Sequence, residues 1–115
     1  MSLNMKESLH HNVVVIELKG DVLGGPDAAS LNDRLHQLIA NGHNQVVLDM
    51  AAVNFMNSSG LGMLIGGLTT VKNSGGNLKL ANPGERIQSL LVITKLSSLF
   101  ESHASVEEAV NSFSK

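Results

Sequence analysis

The stretch from Met50 to Val71, MAAVNFMNSSGLGMLIGGLTTV, carries no Asp, Glu, Lys or Arg, and it constrains this chain more than any other part. Its first part reads as the end of a strand and a loop. From Ser58 it reads as a helix, with Leu61, Leu64, Ile65, Leu68 and Val71 at the i, i+3, i+4, i+7 spacing of one buried face. A helical wheel puts Ser59, Gly62, Met63, Gly66, Gly67 and Thr70 on the opposite face, where a solvated helix normally shows Lys and Glu. Each interior Gly costs roughly 1 kcal/mol against Ala, so something must compensate for Gly62, Gly66 and Gly67. Two compensations stand open: close packing against the sheet or another helix, or a flat, uncharged face that docks a partner.

The start of this helix carries Asn57, Ser58 and Ser59, all good N-cap residues whose side-chain oxygens accept from free N–H groups of the first turn. A hydroxyl there is also well placed to carry a phosphate, because the helix N-terminus offers free donors and the positive end of the dipole. Taken alone, a serine in this position is a cap.

The other elements follow from apolar patterning. Lys6–Leu9 reads as a short strand, turned by His10-His11-Asn12 into the β-branched strand Val13–Leu18, bounded by Gly20. Pro26 opens a helix with Asp27 in its first turn, inward residues Ala28, Leu31, Leu35, Leu38 and Ile39, and a left-handed stop at Asn41-Gly42. Gln45–Asp49 is a buried strand, and Asn77–Ala81 is a strand with clean alternation. Asn82 as cap and Pro83 at the first position open a helix lined by Ile87, Leu90, Leu91 and Thr94. Phe100-Glu101 suggests a very short edge strand. Ser105 with Glu108 forms a capping-box pattern before a last helix that turns Val106, Ala109, Val110 and Phe113 inward. Strands alternating with helices of this length call for a largely parallel sheet with crossover helices. The expected architecture is one α/β domain over residues 1–115, with four or five strands in a mostly parallel mixed sheet and about four helices.

Composition and motifs exclude several functions. A net charge of −2 with no basic run gives no electrostatic footprint for nucleic acid, and three aromatics, all Phe, make no stacking platform. No membrane span or signal peptide is visible, and Cys is absent, so a cytoplasmic protein is expected. The five His show no metal-ligand spacing, so no metal and no cofactor are expected. A hydrolase nucleophile elbow would need Gly where Met56 stands, and Gly60-x-Gly62 does not continue into a dinucleotide or phosphate-loop motif. No catalytic constellation emerges, and an enzyme is not expected.

The block Val53-Asn54-Phe55-Met56-Asn57-Ser58-Ser59-Gly60-Leu61-Gly62-Met63-Leu64, after the strand QVVLDM, resembles the signature of the STAS domain, and in particular of the bacterial anti-sigma factor antagonists. The resemblance extends over nearly the whole chain. It implies a four- or five-stranded sheet with helices mainly on one side. It implies that Ser58, less so Ser59, is phosphorylated by an ATP-dependent kinase that doubles as an anti-sigma factor, and that a phosphatase resets it. The unphosphorylated protein would bind that kinase and free the sigma factor. The docking surface implied includes Gly24 and Gly25 in the loop after the second strand, Asn57, Ser58, Ser59 and Gly60 at the helix start, and Gly62, Met63 and Gly66 beyond. A phosphate would add about −1.5 to −2 charges to a neutral face. That is tolerable at a free helix N-terminus and costly inside an interface that excludes water.

The family usually has Asp before the phosphorylated Ser, and here Asn57 occupies that position. Asn caps as well as Asp does, so the fold is expected to survive. The missing charge supports an alternative, a STAS scaffold or subunit that binds a protein partner in a transport or sensory assembly without being phosphorylated. The sequence does not give the oligomeric state, the kinase, the sigma factor or the stimulus.

Overall fold

The computed structural model describes residues 3–114. The elements run β1 (Asn4–His10), β2 (Val13–Val22), α1 (Pro26–Ala40), β3 (Gln45–Met56), α2 (Ser58–Asn73), β4 (Asn77–Ala81), α3 (Glu85–Ile93), β5 (Ser102–His103) and α4 (Val106–Ser112). The sheet order is β1-β2-β3-β4-β5. The β1–β2 pair is an antiparallel hairpin, and every later pair is parallel. The hairpin turns on His11 and Asn12, both with positive φ (51° and 70°), as two-residue hairpin loops require.

Period-two alternation sorts the strand residues onto two faces. Val14, Ile16, Leu18, Val46, Leu48, Leu78 and Leu80 face one way and join the buried sides of α1, α2 and α3 in the main core. Val13, Val15, Val47 and Ala81 face the other way and meet Ala109 and Val110 of α4 in a smaller core. On this second side Lys79 is buried, its Nζ donating to Ser112 Oγ at 2.7 Å, lying 3.0 Å from Glu101 Oε2 and 4.2 Å from the centre of the Phe113 ring. Those contacts satisfy the ammonium that the sheet register places under α4.

Several boundaries differ from the sequence reading. β2 does not stop at Gly20; that residue, at φ +116°, takes up a register shift against β3 and the strand continues to Val22. β3 does not stop at Asp49. It runs to Met56 because Ala52–Met56 go on pairing with β2 after β4 has ended opposite Asp49. Asn82 is not the cap of α3: it sits at φ +55° with its Nδ2 donating to Asp49 Oδ1 at 3.0 Å, and Gly84 precedes the helix. Thr94 is exposed at the end of α3, its Oγ1 donating to Leu90 O at 2.7 Å. The edge strand is Ser102–His103 rather than Phe100-Glu101; Phe100 is buried in the main core. Ser105 caps α4 as the pattern indicates, accepting from Glu108 N–H at 3.1 Å.

Candidate functional site

Parallel pairing brings the C-terminal ends of β2 and β3 side by side, with Val22 opposite Met56. Both chains then leave the sheet, one into the loop Leu23–Gly25 and the other into Asn57 and α2. Asn57 is the N-cap, its Oδ1 accepting from Gly60 N–H at 2.7 Å, and its own N–H donates to Val22 O at 3.3 Å. No acidic residue stands in the first turn of α2. Ser58 and Ser59, at the first two helical positions, are exposed. Their N–H groups are among those that a helix start leaves without intrahelical partners.

Two glycines make this junction possible. A Cβ on Gly60 would lie 1.8 Å from Val22 O, so only hydrogen lets α2 start against the end of β2. Gly24, at φ +82°, would put a Cβ 2.9 Å from Ser59 O, so the loop lies directly on the first turn of the helix. Gly24 and Gly60 are both buried, and they shape the serine surface from beneath.

The far side of α2 is divided. The wheel placed Met63 and Gly67 outward, but both are buried: Met63 joins the main core, and a Cβ on Gly67 would lie 3.2 Å from Leu35 Cδ1 of α1. Thr70 Oγ1 donates to Asn32 Oδ1 of α1 at 2.6 Å. Close helix packing therefore accounts for the inner edge of the uncharged face. Gly62 and Gly66 remain open, with nothing within 4 Å of an added Cβ. Between α1 and α2 runs a groove of about 610 Å³, lined by Gly25, Ala28, Ala29, Ser59, Gly62 and Gly66 among others. The sequence reading missed its α1 wall; the adjacent small residues Ala28 and Ala29 were the available signal.

A second groove, of about 550 Å³, opens on the β3 side between Phe55 and Met56 and the helix α3. Phe55 is 45% exposed there, and its position three residues before Ser58 gave no hint of this, since Phe is ordinarily a core residue. Among the described residues, no group of three or more His, Cys, Asp or Glu is placed to hold a metal, and no helix is long and apolar enough to cross a membrane.

Fold and site define a class: a small mixed-sheet α/β module whose serine-bearing helix start is clasped by the neighbouring strand end. A family model for the STAS domain matches residues 4–109. The anti-sigma-B factor antagonist of Bacillus subtilis (strain 168) is 31% identical over 112 residues, which cover 96% of this chain and 99% of that protein. An anti-sigma factor antagonist from Mycobacterium paratuberculosis superposes with a TM-score of 0.82 at 20% identity, over 99% of this chain and 96% of that one. The Bacillus cell-fate determinant SpoIIAA in its phosphorylated form gives 0.72 at 20% identity, over 97% and 99%. The chain belongs to the STAS domain family, in its group of anti-sigma factor antagonists.

Proposed function

We propose that this protein is an anti-sigma factor antagonist switched by phosphorylation of Ser58: unphosphorylated, it binds an anti-sigma factor that is also a serine kinase, and so releases a sigma factor. The observation that carries the reading is the exposed Ser58 hydroxyl at the acid-free start of α2, within a chain of this family. The partner surface consists of Ser58 and Ser59, the loop at Gly25, which the buried Gly24 seats on the helix start, and the open helix face at Gly62 and Gly66. Asn57, Gly60 and Met63 hold that surface in shape. An uncharged interface of this kind tolerates a neutral hydroxyl and rejects a phosphate of about −1.5 to −2 charges, which would have to be desolvated on binding. In the free protein the same phosphate is favoured by the helix dipole and its unpaired N–H groups. A phosphatase acting on the phosphoserine restores binding.

The test is incubation with each purified anti-sigma factor kinase of the source organism and ATP, followed by intact mass and peptide mapping. One phosphate on Ser58, loss of binding in Ser58→Asp and ATP-resistant binding in Ser58→Ala are the expected results. Equal affinity of both variants would refute the switch. Asn57 favours one other reading, a constitutive binding subunit: its amide completes the cap at 2.7 Å with no carboxylate beside the serine. A tight complex that ATP neither modifies nor dissolves would establish that reading instead.

A further inference from the structure

The chain has three aromatic residues, and one of them stands half-exposed three positions before Ser58. Phe55, 45% exposed, forms one wall of the groove beside β3, and Leu90 and Ile93 of α3 form the other, with Met56 and Ile87 buried at its base. Ile93 is 77% exposed, and Val92 beside it is 64% exposed. Glu85 and Arg86 stand at the margin. An apolar centre with a charged rim is the anatomy of a protein interface.

Its position indicates what covers it. A kinase must seat the Ser58 hydroxyl in its active site, and a specific protein interface buries about 800 Å² on each partner, a disc of roughly 16 Å radius. Consecutive Cα atoms lie about 3.8 Å apart, so Phe55 stands at most roughly 11 Å from Ser58 along the chain. A partner centred on Ser58 therefore has Phe55 within the radius of its footprint. The groove between α1 and α2, on the other side of Ser58, is lined by Gly, Ala, Ser and Thr with Asn32 and the buried Met63, and presents no exposed large apolar side chain.

Resting on the reading of Ser58 above, we propose that the Phe55–Ile93 groove is a second contact for the same anti-sigma factor kinase, receiving an apolar side chain of that protein. The groove touches no reacting atom. It anchors the partner on one side of Ser58 while the serine itself reports the phosphorylation state. Affinity and switching are thus carried by different residues: the groove holds both forms alike, and the phosphate discriminates between them.

The test uses Ile93→Ser and Phe55→Ser in the full chain, with Ser58→Asp in parallel. Binding to each purified anti-sigma factor kinase of the source organism is measured by calorimetry, and phosphorylation by kcat and KM with ATP saturating. We expect each groove variant to weaken binding at least tenfold and to raise KM similarly, with kcat at saturating antagonist within twofold of wild type. Thermal unfolding of Ile93→Ser should be unchanged, because Ile93 is mostly in water already. Wild-type affinity and KM in both groove variants, with binding lost in Ser58→Asp, would overturn the groove and leave the switch standing. A concentration-dependent dimer of the free protein that Ile93→Ser dissolves, with kinase affinity untouched, would assign the groove to a second copy and overturn the proposal. If no kinase binds or phosphorylates the wild type, the Ser58 reading fails and the groove inference falls with it.

Discussion

Gly60→Ala separates two roles that glycine plays within one helix. By helix propensity the change should stabilise, by roughly 1 kcal/mol. The structure gives the opposite sign. The new Cβ would sit 1.8 Å from Val22 O, 2.6 Å from Val22 C and 3.0 Å from Val22 Cγ1. Two of these atoms belong to the backbone of a paired strand, so no rotamer change relieves the contact. Overpacking costs about 1–3 kcal/mol where side chains can shift, and here the upper end is the minimum. The net loss is then about 2 kcal/mol or more. With an unfolding entropy of about 2.1 cal/mol/K per residue, 115 residues give about 240 cal/mol/K, so the melting temperature falls by roughly 8 °C or more. Gly66→Ala is the internal control. It meets nothing within 4 Å and keeps only the propensity gain, about 0.5–1 kcal/mol, which raises the midpoint by roughly 2–4 °C. The chain has no Trp or Tyr, so the transition is best followed by far-ultraviolet circular dichroism during heating and in urea. A Gly60→Ala protein as stable as the wild type would show that α2 does not start hard against Val22, and the account of the serine surface would fail with it.

Two further outcomes follow from the same structure. Asn57→Ala removes the acceptor of the Gly60 N–H and should cost about 1 kcal/mol, whereas Asn57→Asp keeps it and gains about 0.3–1 kcal/mol from the dipole. Urea midpoints that rank Ala level with Asp would refute the capping role. The carboxyl of Glu101 is held below its ordinary value of 4.5 by its hydrogen bond to His103 and then by Lys79, and that of Glu7 is held down by its hydrogen bond to Arg34. A lowered carboxylate contributes stability that is present above its unfolded value and lost as pH falls through the folded one. The midpoint should therefore hold down to about pH 4.5 and decline below it, and Glu101→Gln should flatten part of that decline. An acid limb identical in Glu101→Gln would remove Glu101 from the account.

What the sequence disclosed, and what it withheld, divides along physical lines. The buried strands announce themselves because a strand covered on both faces is apolar throughout, as Val13–Ile16 and Val46–Leu48 are. The cap at Asn57 is a local interaction, and local interactions can be read from neighbours in sequence. The extension of β3 to Met56 is held by β2 alone, and its partly exposed residues show no pattern that a one-dimensional reading can catch. Gly20 reads as a terminator because glycine is common in turns; at φ +116° it sits instead beside a register shift against β3, and the strand continues. Met63 and Gly67 were placed outward from helical geometry alone. Whether a helix face is solvated depends on what packs against it: Gly67 lies against Leu35 of α1, and Met63 joins the main core. The Phe55 groove needs β3 and α3 to be brought together, and residues 55 and 93 are too far apart in sequence for that to be foreseen.

The order of the strands has one more consequence. From β2 to β5 each strand lies beside its predecessor, and α1, α2 and α3 all pack against the same side of the sheet. Doubly wound sheets open a crevice where consecutive connections part to opposite faces, and that is where they take up nucleotides and other small ligands. Here the winding never reverses, so the strands' carboxyl ends are not split by such a crevice. What those ends carry instead is a pair of grooves flanking the start of α2, one against α1 and one against α3, so that whatever meets Ser58 meets grooved surface on either hand.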